Sequence, residues 1–174
     1  AGGNGGDISI SANDVLLSGS INSNGGNATG TANRGNGGAV TVTVGNDLTV
    51  EANITSMRGA GSSSTGTNGA ITLNGDANGN DNTFTINNDI TLAGASVTVN
   101  GNGGTDSLVR GGTITNPNTW TITNADVGML VFGTSMIDFF DIANLTGGSG
   151  QDDFYVSTNG TLSGLLDGGA GAND

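Results

Sequence analysis

A unit of 32 to 33 residues, written twice in succession, limits what this chain can fold into. Residues 35–54 read GNGGAVTVTVGNDLTVEANI: a glycine turn, an alternating run with Val40, Val42 and Val44 on one side, an Asn46-Asp47 corner, and a second run through Leu48 and Val50 to Ile54. Residues 3–21 follow the same plan, with Ile8 and Ile10, then Asn13-Asp14, then Val15, Leu17 and Ile21. Gly3 and Gly35 are 32 residues apart, and Asp14 and Asp47, like Ile21 and Ile54, are 33 apart. Alternation with period two places the valines on one face of a strand. Repetition at this interval lets each copy bury that face against the next.

A third copy begins at Gly69-Ala70-Ile71-Thr72-Leu73, and Asn88-Asp89 reads as its corner, followed by Ile90 and Leu92. That corner lies 42 residues after Asp47, which places an insertion within residues 74–82. The expected fold is all-β, a parallel β-helix in which Ile8/Val40/Ile71 and Val15/Leu48/Ile90 stack in interior columns about 4.8 Å apart. Asn13, Asn46 and Asn88 would form a corner column, since Asn tolerates left-handed backbone and stacked amides bond along the axis. Residues 22–36 and 56–68, rich in Gly, Ser, Asn and Thr, read as polar excursions and as the surfaces for any recognition.

The texture changes at Phe84, the first aromatic residue. Residues 1–83 read as circuits with long loops. Residues 84–174 read as their continuation, with shorter loops and a wider aromatic core that includes Trp120, Phe132, Phe139 and Phe140. Both termini fall in glycine turns without a polar cap, so the chain is expected to be a piece of something longer or a subunit that stacks end to end.

Composition narrows the function classes. Gly fills 34 of 174 positions and only 10% of residues are charged, a balance that disordered chains share. A disordered tract, however, has no reason to hold its valines and isoleucines in register. The only cations are Arg34, Arg58 and Arg110 against a formal net charge of −12, which argues against nucleic acid and anionic membrane as partners. No apolar run approaches the roughly 18 residues of a membrane span. Without Cys or His, zinc sites and thiol nucleophiles are removed.

The sharpest chemical motif is GGSGQDDF at 147–154, which fits G-G-x-G-x-D-x-U with Phe154 as the apolar anchor. Such turns gather carbonyls and a carboxylate around a hard cation, so Ca²⁺ is the expected ion if one is bound, held by Gly148, Gly150 and Asp152. A second glycine turn at 168–174 follows 21 residues later and would add Asn173 and Asp174, although Asn173 stands where the motif has Asp. A glycine corner with a solvated Asp152 is the plainer reading. No catalytic residue is expected: Asp138, Asp141, Asp152 and Asp153 could make a hydrolytic pair only if two of them faced each other across a sugar-sized gap. Four N-x-[ST] sequons, at Asn27, Asn53, Asn144 and Asn159, are frequent enough by chance in this composition that only Asn27, in a loop, invites attention.

GNGGDISISANDVLLSGSI and GNGGAVTVTVGNDLTVEANI resemble the repeats of filamentous-haemagglutinin-like large exoproteins of Gram-negative bacteria and cyanobacteria. The C-terminal part, with WTITNADVGML, NLTGGSGQDDFYV and GTLSGLLDGGAGAND, is similar to a module that recurs in very large bacterial surface proteins. The resemblance implies a right-handed parallel β-helix, export to the cell surface or medium, and a structural or adhesive role without enzymatic activity. The expected partners are other copies or flanking repeats of the same chain, with host or environmental glycans as a further class. A Ca²⁺-dependent repeats-in-toxin-like module and a polysaccharide-binding or -cleaving β-helix are the competing readings.

Overall fold

The computed structural model describes residues 1–62 and 64–171. Among them there is no helix, and seventeen strands form three sheets. Three successive circuits each put one strand into each sheet. They are β1 (Ile8–Ala12), β2 (Val15–Leu17) and β3 (Ile21–Asn22); β4 (Val40–Val44), β5 (Asp47–Val50) and β6 (Ile54–Thr55); and β7 (Ile71–Gly75), β8 (Thr83–Asn87) and β9 (Leu92–Ala93). β10 (Val97–Asn100) and β11 (Ser107–Gly111) continue the first two sheets. All of these pairings are parallel.

The register follows the repeat. Ile8 lies opposite Val40, Val40 opposite Ile71, and Ile71 opposite Val97. The second column differs from the expectation: Val15 and Leu48 are continued by Phe84, not Ile90. Leu48 and Phe84 are 36 residues apart while Val40 and Ile71 are 31 apart, so the added length sits between β7 and β8, inside 74–82 as expected. The corner column shifts with it. Asn82, not Asn88, follows Asn13 and Asn46, and its Nδ2 donates to the Asn46 carbonyl at 3.2 Å. Asn88 occupies the next bend, with φ of 58°. The likeness of Asn88-Asp89-Ile90 to Asn46-Asp47-Leu48 is local and one bend out of phase.

The glycine tracts are not loose loops. Gly2, Gly5 and Ile8 donate to the carbonyls of Asn33, Asn36 and Ala39, and Gly25 and Ala28 donate to Met57 and Ala60, all at 2.8–2.9 Å. Donors and acceptors both recur every third residue, the period of a polyproline II helix. Across the layer Gly26 donates to Gly3, Gly35 to Gly26, Gly38 to Ser23 and Gly59 to Gly35. Side chains keep the same spacing: Asn4 and Asp7 accept from the Asn36 and Ala39 nitrogens, and Asn24 and Asn27 from Met57 and Ala60. Glycine is required where the segments touch. A Cβ on Gly35 would overlap the Gly3 carbonyl and stand 2.7 Å from the Gly26 nitrogen, and one on Gly59 would overlap the Gly26 carbonyl.

After β11 the chain departs from the parallel continuation expected for 84–174. β12 (Asn118–Asn124), β13 (Val127–Phe132) and β14 (Ser135–Phe140) form an antiparallel meander inserted into the first sheet, which therefore runs β1-β4-β7-β10-β14-β13-β12-β16. Two residues, Gly133 and Thr134, join β13 to β14, and a connection that short can link only antiparallel strands. Gly133 adopts φ of 52°, as such a hairpin requires. β15 (Asn144–Thr146), β16 (Asp152–Val156) and β17 (Leu166–Asp167) then return to parallel pairing.

One core runs through both halves, from Val40, Val42 and Leu48 to Trp120, Phe132 and Phe139, all 0–1% exposed. Phe140 and Tyr155 are exposed instead. Among the described residues no helix is long and apolar enough to cross a membrane.

Candidate functional site

The two C-terminal glycine turns do come together. Gly147 donates to the Asp167 carbonyl, Ala170 donates to that of Gly148, and a Cβ on Gly171 would overlap the Gly150 carbonyl. Asp152, however, turns inward and is fully buried. Its Oδ1 accepts from Asn118 Nδ2 at 2.8 Å and Trp120 Nε1 at 2.9 Å, and its Oδ2 accepts from the Gly148 nitrogen at 2.9 Å. The carboxylate closes the glycine turn and ties it to β12. These three donors engage both carboxylate oxygens on which the Ca²⁺ expectation relied. Asn173 and Asp174 lie outside the described residues. Among those described, no group of three or more acidic, Cys or His side chains is placed to hold a metal.

Asp152 is one end of a buried polar chain. Asn118, which donates to it, accepts from Arg110 Nε at 3.0 Å. Arg110 is 2% exposed and donates from its two terminal nitrogens to the carbonyls of Ile86 and Asn88, at 2.9 and 3.0 Å. Its Cζ lies 3.9 Å from the centroid of Phe132, and Asp89 Oδ1 lies 3.7 Å from one nitrogen. Burial draws the guanidinium down to about 10, with Asp89 and Asp152 acting in the opposite direction. At the far end Asp89 Oδ2 accepts from the Thr115 nitrogen and hydroxyl and from the Asn116 nitrogen. Burial alone would raise Asp89, but these bonds and Arg110 outweigh it and hold the carboxyl below its usual range. Trp120 stacks on Phe154 at 5.6 Å and 11° beside this chain.

Sequence reasoning did not single out Arg110. The signal was present in SLVRG, where Leu108 and Arg110 share the inward face of one strand; an Arg at a core position of an alternating run requires internal partners.

The other acidic candidates separate. Asp138 is half-buried on the outer face of β14, Asp141 is exposed in a left-handed bend with φ of 57°, and Asp153 is bonded to Gln151. A cleft of about 270 Å³ lined by Asp89, Asn116, Phe132 and Thr134 carries one carboxylate. A second, of about 300 Å³ between Met57, Leu92 and Met136, carries only Asp138. Neither offers a pair. Of the sequons, the amide oxygens of Asn27, Asn53 and Asn144 accept main-chain N–H groups from Ala60, Thr91 and Leu165, while Asn159 lies in an exposed turn.

The outer face of the first sheet is regular. Ser9, Thr41, Thr72 and Thr98 form one row, and Ser11, Thr43, Asn74 and Asn100 the next. Asn100 donates to Asn74 along the second row at 2.8 Å. Strand propensity and contact with water account for these residue types.

Comparison with known proteins adds no assignment. No protein-family model, curated protein or solved structure matches the chain.

Proposed function

We propose that the chain is a right-handed parallel β-helical segment of an extracellular bacterial fibre or large surface adhesin, acting as a stiff rod for attachment or for filament and matrix assembly. The observation that carries this reading is the residue-for-residue column from Ile8 through Val40 and Ile71 to Val97, which makes each circuit the template for the next. Right-handedness rests on the strong preference of parallel crossover connections. The exported setting rests on the resemblance of residues 3–54 to large exoproteins. The glycine layers and the buried chain from Asp152 through Asn118 to Arg110 fit a mechanical role, since both fix the main chain. Its partners would be other copies or flanking repeats of the same chain.

Electron micrographs of concentrated protein, with and without chelator, are expected to contain rods or filaments of uniform width. Separate compact particles at every concentration would count against the proposal. Filaments that vanish on chelation would favour the Ca²⁺-dependent reading instead.

A further inference from the structure

The corner column Asn46–Asn82 continues into Asp106, because Asp47 pairs with Thr83 and Thr83 with Ser107. An ionisable group thus stands where the preceding circuits use an amide. Asp106 is fully buried, its Oδ1 accepts from the Asn82 nitrogen at 2.7 Å, and its Oδ2 has no hydrogen-bond partner. That Oδ2 and the main-chain oxygen of Asp141 both crowd the point where a Cβ on Gly101 would stand. The two acceptors thus stand 2.4 and 2.0 Å from one shared point beside Gly101. The amide oxygen of Asn82, 1% exposed, is also unpartnered.

We propose that Asp106 is an acid-closed latch: when protonated, its Oδ2–H donates to the Asp141 carbonyl and ties the β14–β15 bend to the corner that precedes β11, and deprotonation opens that tie. The proposal goes beyond the rod reading and does not depend on it. The charges that bear on Asp106 share its sign. Asp76 and Asp81 come from the loop before β8 and Asp141 from the bend after β14, and no cation among the described residues opposes them. Burial, chiefly, and then these carboxylates raise Asp106 to about 6 from the ordinary 3.8, while the bond from Asn82 acts the other way.

The folded chain therefore holds this proton more tightly than the unfolded one. Its stabilising contribution is complete below pH 3.8, is lost as pH rises through about 6, and stays lost above. A gap of about two pK units corresponds to a change on the order of a hundredfold in the unfolding equilibrium constant. Asp106→Asn presents an oxygen to Asn82 and an N–H₂ to Asp141, as the protonated acid would. The experiment is urea unfolding of wild type and Asp106→Asn between pH 4 and 8, together with a carboxyl ¹³C titration of the wild type.

The variant is expected to match wild type near pH 4 and to exceed it on the order of a hundredfold at pH 8, with the Asp106 resonance titrating near 6. Parallel pH profiles for the two proteins would overturn the proposal. So would an Asp106 carboxyl that titrates near 4, which the wild type reports even if the variant does not fold.

Discussion

Alanine at Gly35 is expected to destabilise the protein by about 3 kcal/mol or more, the upper end of overpacking penalties. The added methyl would enter the Gly3 carbonyl and press on the Gly26 nitrogen, both main-chain atoms held by hydrogen bonds in neighbouring segments. Neither can rotate away as a side chain would. Gly59→Ala should behave alike, since its methyl would overlap the Gly26 carbonyl. Gly6 is the internal control: it lies in the equivalent glycine tract of the preceding circuit, has open space where a Cβ would stand, and as alanine should change stability by no more than about 0.5 kcal/mol. Chemical denaturation of the three variants checks this. Equal losses at Gly35 and Gly6 would mean that residues 22–36 and 56–68 are the mobile excursions their composition suggests.

The second large effect is expected at Asp152. Its replacement by alanine strands the indole N–H of Trp120, the amide of Asn118 and the nitrogen of Gly148 without an acceptor, and removes one of the two negative charges that bear on buried Arg110. Breaking such an arrangement costs about 3–5 kcal/mol. Asp153→Ala, next along the strand and half-exposed, should stay within about 0.5 kcal/mol. Thermal melting with and without chelator separates the two roles open to Asp152. A structural carboxylate leaves the wild-type transition unmoved by chelation and the variant equally impaired in both buffers. A wild-type transition that falls to the variant's on chelation would restore the cation.

Much of this architecture could be read from residue spacing. Val40, Val42 and Val44 announce a half-buried strand, and the 32–33 residue interval places Ile8 beside Val40. The added length does fall within 74–82, although the 42-residue interval that points to it ends at the wrong corner; Asp47 pairs with Thr83, 36 residues on. What misled was a short likeness: Asn88-Asp89-Ile90 imitates the corner, but stacking follows strand length, which puts Phe84 on Leu48. The meander was signalled by Gly133-Thr134 between two apolar runs, a hairpin cue that the surrounding parallel repeats obscured. The glycine layer was written in a period of three, as Gly2 and Gly5, Asn4 and Asp7, Asn24 and Asn27. A search for periods of two and 3.6 passes over it. At the candidate site the motif at 147–154 fixed the turn but not the direction of Asp152. That direction depends on Asn118 and Trp120, more than 30 residues away in sequence, offering donors from the neighbouring strand.

The central claim, one sheet built by parallel stacking and then entered by a meander, has a direct ruler. Ser9, Thr41, Thr72, Thr98, Asp138, Met129, Thr121 and Tyr155 form a single row of direct partners across eight strands. Because the chain lacks Cys, spin labels can be placed at Ser9 and, one at a time, at the last four. Dipolar distances are expected to rise in the order Asp138, Met129, Thr121, Tyr155, by about 4.8 Å per strand, although Thr121 precedes Met129 and Asp138 in sequence. Distances that rise in chain order, or that fail to rise at all, would contradict the account.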